Sequence, residues 1–145
     1  MLLIESPHNE RFKKLLKLST DNKFRRKSKL FIIEGLKEIR AALEHNYELE
    51  EVYIDDKYKT AFPEKEFDQV SVTILKHDLF SRLVYREDAS YILAVLKEPI
   101  IDLTQIQLPE NPLIVILENI EKPGNLGAVL RTCDAVGADA VILSQ

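Results

Sequence analysis

"LIVILENIEKPGNLGAVLRTCDAVGADAVILSQ", residues 113–145, is the stretch whose reading decides the fold class. LIVILENI (113–120) is an apolar run of the kind expected for a strand buried on both faces of a parallel sheet. PGNLG reads as a glycine-bounded turn, the residues from about Leu126 to Val136 as a helix, and DAVILS (139–144) as a second strand. Together they make one βαβ unit of ordinary size. In this reading Gly124 and Gly127 let the backbone bend tightly and approach a partner. Asn125 caps the helix with its side chain, and the free N–H groups of the helix start favour an anion. Arg131 lies one helical turn after Gly127, so its planar, permanently charged donor fork can reach the same mouth. A capped helix with a surface arginine fits the bare pattern equally well, because a GxxG pair is weak evidence and no GxGxxG or P-loop accompanies it.

Upstream, strands and helices alternate, which is the pattern of an α/β layer fold. Phe12, Leu15, Leu16 and Leu18 recur at helical spacing from Asn9 to Thr20, after a Ser6-Pro7 start signal. DNKFRRKSK (21–29) has no apolar face and reads as a basic loop or a short turn of helix. LFIIEG (30–35) reads as a buried strand ending at glycine, followed by a helix over LKEIRAALEHN with Leu36, Ile39, Ala42 and Leu43 on one face. LEEVYID (49–55), VSVTIL (70–75) and SYILAVLK (90–97) are three further strands, with a helix over HDLFSRLVY (77–85) before the last. Residues 98–112 carry three prolines and no period, and read as a linker. The expected division is therefore a domain over 1–97, a linker over 98–112 and a second unit over 113–145.

Composition bounds the function. The chain has 145 residues, 46% of them hydrophobic and 30% charged, which suits a globular protein and not a disordered one. No apolar stretch approaches the roughly 18–20 residues of a membrane span, and MLLIESPHNE is not a signal peptide. A single cysteine excludes an internal disulfide framework. A soluble cytoplasmic protein is the expectation. The net charge of −4 hides a segregation: residues 1–30 hold nine Lys/Arg against three acids, and residues 31–145 hold eleven against twenty-one. Blocks of one sign mark a polyanion-facing surface, although a solvated amphipathic helix and a charged loop would give the same count.

Other constellations point to structure. His8, His45 and His77 have no metal-ligand spacing with one another or with Cys133, so no metal is expected and surface or helix-end roles are. Cys133, mid-helix between Thr132 and Asp134, reads as a plain buried thiol. Glu48, Glu50, Glu51, Asp55 and Asp56 read as a solvated strand edge, and Asp134 and Asp139 as helix-surface and turn residues.

The segment IEKPGNLGAVLRTCDAVGADAVIL resembles the first signature motif of the SpoU (TrmH) branch of the SPOUT RNA methyltransferases, through Pro123, Asn125, Leu126, Gly127, Arg131, Ala135 and Gly137. The N-terminal part is similar to the substrate-binding domain that precedes the catalytic domain in many of these enzymes: a basic helix, an arginine/lysine loop, then an LFIIEG-like strand with Glu34 and Gly35. One departure is Ser90-Tyr91, where the family's QGILAV-like strand has a glycine. The resemblance implies an α/β substrate-binding domain, helices packed on a small mixed sheet, followed by the first βαβ unit of a knotted methyltransferase domain.

It also implies a reaction: methyl transfer from S-adenosylmethionine to a ribose 2′-hydroxyl of rRNA or tRNA. Asn125 and Arg131 take the catalytic positions by their match to the motif, with the arginine engaging the target phosphate and helping to activate the hydroxyl. A fixed guanidinium can stabilise developing negative charge much as an oxyanion donor does. Lys13, Lys14, Arg25, Arg26, Lys27 and Lys29 are the expected RNA-binding residues, gripping a structured RNA by its backbone. The family's second and third motifs, which form the S-adenosylmethionine pocket, have no counterpart in these residues. The chain is thus expected to be a truncated part of such an enzyme, inactive alone, from a parent that forms a homodimer through its methyltransferase domain. The competing readings are a non-catalytic RNA-binding module and a small nucleotide-binding α/β protein.

Overall fold

The computed structural model describes residues 1–84, 90–100, 104 and 106–144. The chain divides into two compact units, Met1–Ile100 and Ile101–Gln145.

The first unit is a five-stranded mixed sheet between two helical layers. Its strands are β1 (Leu2–Ile4), β2 (Leu30–Glu34), β3 (Leu49–Asp55), β4 (Ser71–Leu75) and β5 (Ile92–Lys97), in the order β1-β4-β3-β5-β2. β1, β4 and β3 pair in parallel, while β5 runs antiparallel to both β3 and β2. Side chains alternate between the faces, as the two-residue strand period requires. Tyr53, Leu75, Leu93 and Val95 pack on one face beneath α1 (Glu10–Thr20), α2 (Asn22–Ser28) and α4 (His77–Phe80). Val52, Ile54, Ile74, Ile92, Ala94 and Leu96 pack on the other beneath α3 (Leu36–Glu44) and the 3-10 turns carrying Phe62 and Phe67. Thr73, within β4, is fully buried and its hydroxyl has no hydrogen-bond partner among the described residues.

Capping explains where the helices begin and end. Asn9 Oδ1 accepts from Arg11 N at 2.9 Å and opens α1. Asp21 closes α1 through its own N–H to Lys17 O, and its carboxylate accepts from Lys23 N and Phe24 N at 2.8 and 3.0 Å to open α2. The basic stretch is therefore two turns of helix, ended by Lys29 in the left-handed conformation. Gly35 starts α3 at φ +103°, a backbone conformation that glycine adopts without a Cβ penalty.

Three expectations for this unit are corrected, and one strand had no expectation. β1 gave no periodic signal, since three residues are too few, and forms by pairing with β4. β2 is an edge strand and only half-buried. The helix expected from His77 has one turn, with a turn following it, and its expected end at Tyr85 lies outside the described residues. The acids of β3 are not a sheet edge, because β3 is the middle strand. Asp55 is buried there, 2% exposed, and accepts hydrogen bonds from Lys57 N at 3.0 Å and from His77 Nδ1 at 2.7 Å. Glu48 and Glu50 pair with Lys97, whose ammonium they hold above its ordinary pKa. The expected linker falls partly on residues 101–103 and 105, outside the described residues.

The second unit is β6 (Ile114–Glu118), α5 (Pro123–Ala135) and β7 (Ala140–Ser144), with β6 and β7 parallel. Asp139 latches the pair: its N–H donates to Leu113 O at 2.9 Å and its carboxylate accepts from Leu113 N at 2.8 Å. Gly137 turns the chain out of α5 at φ +68°. Here β6 is not buried on both faces. Its residues alternate between exposed and half-buried, with Ile116 68% exposed, because α5 packs against one face of the pair and the other stays open.

Candidate functional site

Two surfaces carry the residues singled out from the sequence, one in each unit. In the first, α1 and α2 share Asp21 as their joint, so their lysines and arginines are held on consecutive rigid elements. Lys14, Arg26 and Lys27 are exposed and make no ion pair among the described residues. Lys13 is paired with Glu10 at 2.7 Å, one turn earlier, which holds that carboxyl below its ordinary pKa. Lys29 Nζ reaches Glu98 Oε2 at 3.0 Å. Such exposed pairs are weak, and a polyanion can compete for either lysine. Lys17, which the sequence reading counted only as charge, lies 5.9 Å over the Phe24 ring.

Arg25 has a different setting. Its Nη1 donates to Leu18 O at 2.7 Å and to Ser19 O at 3.0 Å, and Nη2 donates to Asn22 Oδ1. The guanidinium thus satisfies two of the last carbonyls of α1 and engages three of its five N–H donors. Nothing in the periodicity could reveal this, because the contact depends on the angle at which Asp21 joins the helices.

In the second unit the glycine turn expected before the helix is instead its first turn. Pro123 stands at the first helical position, where its missing N–H costs nothing, so α5 starts three residues earlier than its apolar pattern suggests. Lys122 is the N-cap residue and supplies no side-chain cap; Asn125 is within the first turn, exposed, and does not cap. Gly124 and Gly127 both lie in helical backbone, so their use here is the absence of a side chain. Arg131 folds back along α5, with Nη1 3.6 Å from where a Cβ on residue 127 would stand. Gly127 gives the guanidinium a smooth place to lie. Asn125 and Arg131 are both exposed on α5, at its start and middle.

The remaining constellations are structural. His45 Nδ1 is 2.8 Å from Ala41 O at the end of α3, and His77 joins Asp55. No group of three or more potential metal ligands occurs among the described residues. Cys133 is buried against the β6 side of α5.

The chain thus carries a three-layer unit with a basic helical joint, followed by a parallel βαβ unit with an arginine on its helix. Residues 9–94, more than half of the chain, match the family described as MRM3-like substrate binding domain, and residues 112–145 match the SpoU rRNA Methylase family. The chain thus joins an MRM3-like substrate-binding domain to a SpoU methylase match, and belongs to the SpoU (TrmH) family.

Among its relatives is the 23S rRNA (guanosine(2553)-2′-O)-methyltransferase RlmP of Bacillus subtilis, 32% identical over all of this chain and 55% of the relative. A crystal structure of an RNA 2′-O ribose methyltransferase superposes with a TM-score of 0.80 at 31% identity, over 99% of this chain and 56% of that one. The SpoU methyltransferase AviRb of Streptomyces viridochromogenes, in complex with AdoMet, superposes with a TM-score of 0.82 at 26% identity, over 94% and 53%. The chain spans about half the length of the relatives it matches.

Proposed function

We propose that this chain is the RNA-binding part and first catalytic motif of a methyltransferase that uses S-adenosylmethionine to methylate a ribose 2′-hydroxyl of 23S rRNA. The observation that carries this is the order of two family matches on one chain, substrate-binding over 9–94 and SpoU over 112–145, with relatives similar across both. Residues 1–97 are the RNA-binding domain in this reading, 98–112 the linker and 113–145 the start of the methyltransferase domain. Lys13, Lys14, Arg26, Lys27 and Lys29 hold the RNA backbone, and Arg25 supports that surface from beneath. Phosphate contacts of this kind supply affinity and orientation more than sequence preference.

The described residues of the second unit do not by themselves fit the cofactor. A concavity of about 330 Å³ on α5 is lined by Val115, Ala128, Val129, Thr132, Cys133 and Val136. Its one hydroxyl, that of Thr132, already donates to Ala128 O, which leaves little to recognise a ribose or an amino-acid group. The methyl donor's site therefore needs residues besides these. In this reading Arg131 engages the target phosphate and lowers the cost of negative charge on the 2′-oxygen, with Asn125 in the first turn of the same helix. The exposed Ile116, Ile142 and Leu143 of the βαβ unit favour association of the methyltransferase domain with a second copy. Cytoplasmic residence follows from an rRNA substrate; among the described residues no helix is long and apolar enough to cross a membrane.

Deleting the gene and mapping ribose methylation across 23S rRNA tests the reading. One methylated nucleotide should disappear and return on complementation with the wild-type gene, but not with Arg131→Ala. An unchanged methylation map would overturn it. The exposed βαβ unit with its incomplete site favours a second reading, a non-catalytic RNA-binding module, which that unchanged map would support.

A further inference from the structure

We propose that the cleft between the α1–α2 joint and the edge strand β2 receives an unstacked base of the RNA, with the plane of Arg25 as a stacking surface. The inference rests on the reading of residues 1–100 as the RNA-binding unit and names what that unit recognises.

The cleft has a volume of about 510 Å³, within the ~300–1,000 Å³ range of small-molecule pockets, and a nucleobase fits in part of it. Leu18, Phe31, Ile32 and Leu93 give it apolar walls, and Arg25 lies in its lining. Arg25 and Phe31 also line a second, smaller concavity of about 240 Å³. This position is available because β2 is the edge of the sheet.

The state of Arg25 decides what the cleft can bind. Three of its five N–H donors are committed to Leu18 O, Ser19 O and Asn22 Oδ1, so swinging the guanidinium away to follow a phosphate would uncap α1. Those bonds hold its flat face rigid. Single-stranded RNA is read by splaying bases onto aromatic rings and arginine planes. Glu34 stands in the lining of the larger concavity, and Glu98, paired with Lys29, in that of the smaller. Arg26 and Lys27 stand exposed on α2, the helix that carries Arg25, where a backbone can be held while its base turns inward.

The 145-residue chain can be titrated with two probes: a stem–loop RNA carrying 2-aminopurine in its unpaired loop, and a blunt duplex of the same stem. The stem–loop should bind about ten-fold tighter, as expected for one stacked base, with a change in 2-aminopurine fluorescence. Ser19→Met puts a long, uncharged, ring-free side chain into the cleft lining and keeps the carbonyl that Arg25 uses. It should erase the stem–loop preference and the fluorescence change, with duplex affinity within two-fold of wild type. Arg25→Lys, which keeps the charge and loses the plane, should also erase the stem–loop preference; thermal melting identifies a variant that has not folded, and Ser19→Met then carries the test. Arg26→Ala/Lys27→Ala should weaken both RNAs and reduce the salt slope by roughly 1.4–1.8. Equal wild-type affinity for the two probes, or a preference that survives Ser19→Met, overturns the base cleft and leaves the backbone-binding surface standing. Failure to bind either RNA overturns that surface, and the cleft with it.

Discussion

Tyr53 and Arg131 show what a single side chain decides in each unit. Tyr53 is buried in the sheet, and its hydroxyl donates to Glu51 two residues away on β3. Burial first, and that hydrogen bond second, push its pKa above the ordinary 10.0. A phenol that keeps its proton in the folded state longer than in the unfolded chain costs stability as pH rises beyond about 10, because the unfolded form alone can then ionise. Tyr53→Phe should lower stability at neutral pH by about 1–2 kcal/mol, since the half-buried Glu51 loses its donor. The gap to wild type should narrow above pH 10, and denaturant titrations at both pH values measure it. A constant gap would mean that the phenol ionises normally. Arg131→Ala, assayed in a protein that includes the family's remaining motifs, should slow methyl transfer on the order of 10²–10³-fold, the usual loss of one preorganised charge donor. Its thermal midpoint should not change, because Arg131 is exposed and makes no ion pair among the described residues. Turnover near wild type at saturating RNA would remove Arg131 from the reaction.

At the scale of elements, the joint between α1 and α2 matters most. One aspartate ends the first helix and starts the second, so the basic residues after it are held in helical positions. Asp21→Ala leaves Lys23 N and Phe24 N without their side-chain acceptor and should cost roughly 1 kcal/mol. α2 should fray with it, and RNA affinity should drop even though the substitution removes a negative charge. Tighter RNA binding by Asp21→Ala would show that net charge, and not helical presentation, sets affinity. The sequence marked these residues as basic but left loop and helix both open, because seven residues with one large apolar side chain, Phe24, show no period. It also placed the start of α5 at its apolar pattern. Proline at the first position and glycine in the first turn carry no such pattern, so the true start was legible only from Pro123.

Across the whole molecule, the contrast is between a unit covered on both faces and one that is not. In Met1–Ile100 the strands are apolar in both directions and helices close both sides. In Ile101–Gln145 a two-stranded parallel sheet has α5 on one side, and Ile116, Ile142 and Leu143 are each close to half exposed or more. Parallel strands are normally enclosed, so this unit should seek cover, and the 145-residue chain should self-associate at high concentration. It should also show no one-to-one complex with S-adenosylmethionine by calorimetry. Micromolar binding by the intact chain would locate the cofactor site within these residues.

Period and punctuation in the sequence were enough for most of the strands, the parallel βαβ unit and the family, because apolar alternation and a motif such as PGNLG are local properties. The positions of Asn125 and Arg131 on one helix were local too. Tertiary structure alone decided the rest. It paired three residues at the N-terminus with β4, put the acidic β3 in the middle of the sheet and buried Asp55 against His77. It also turned Arg25 from a free cation into the cap of α1. Each of these depends on which backbone groups meet across the fold, and a buried carbonyl must find a donor wherever the chain brings one.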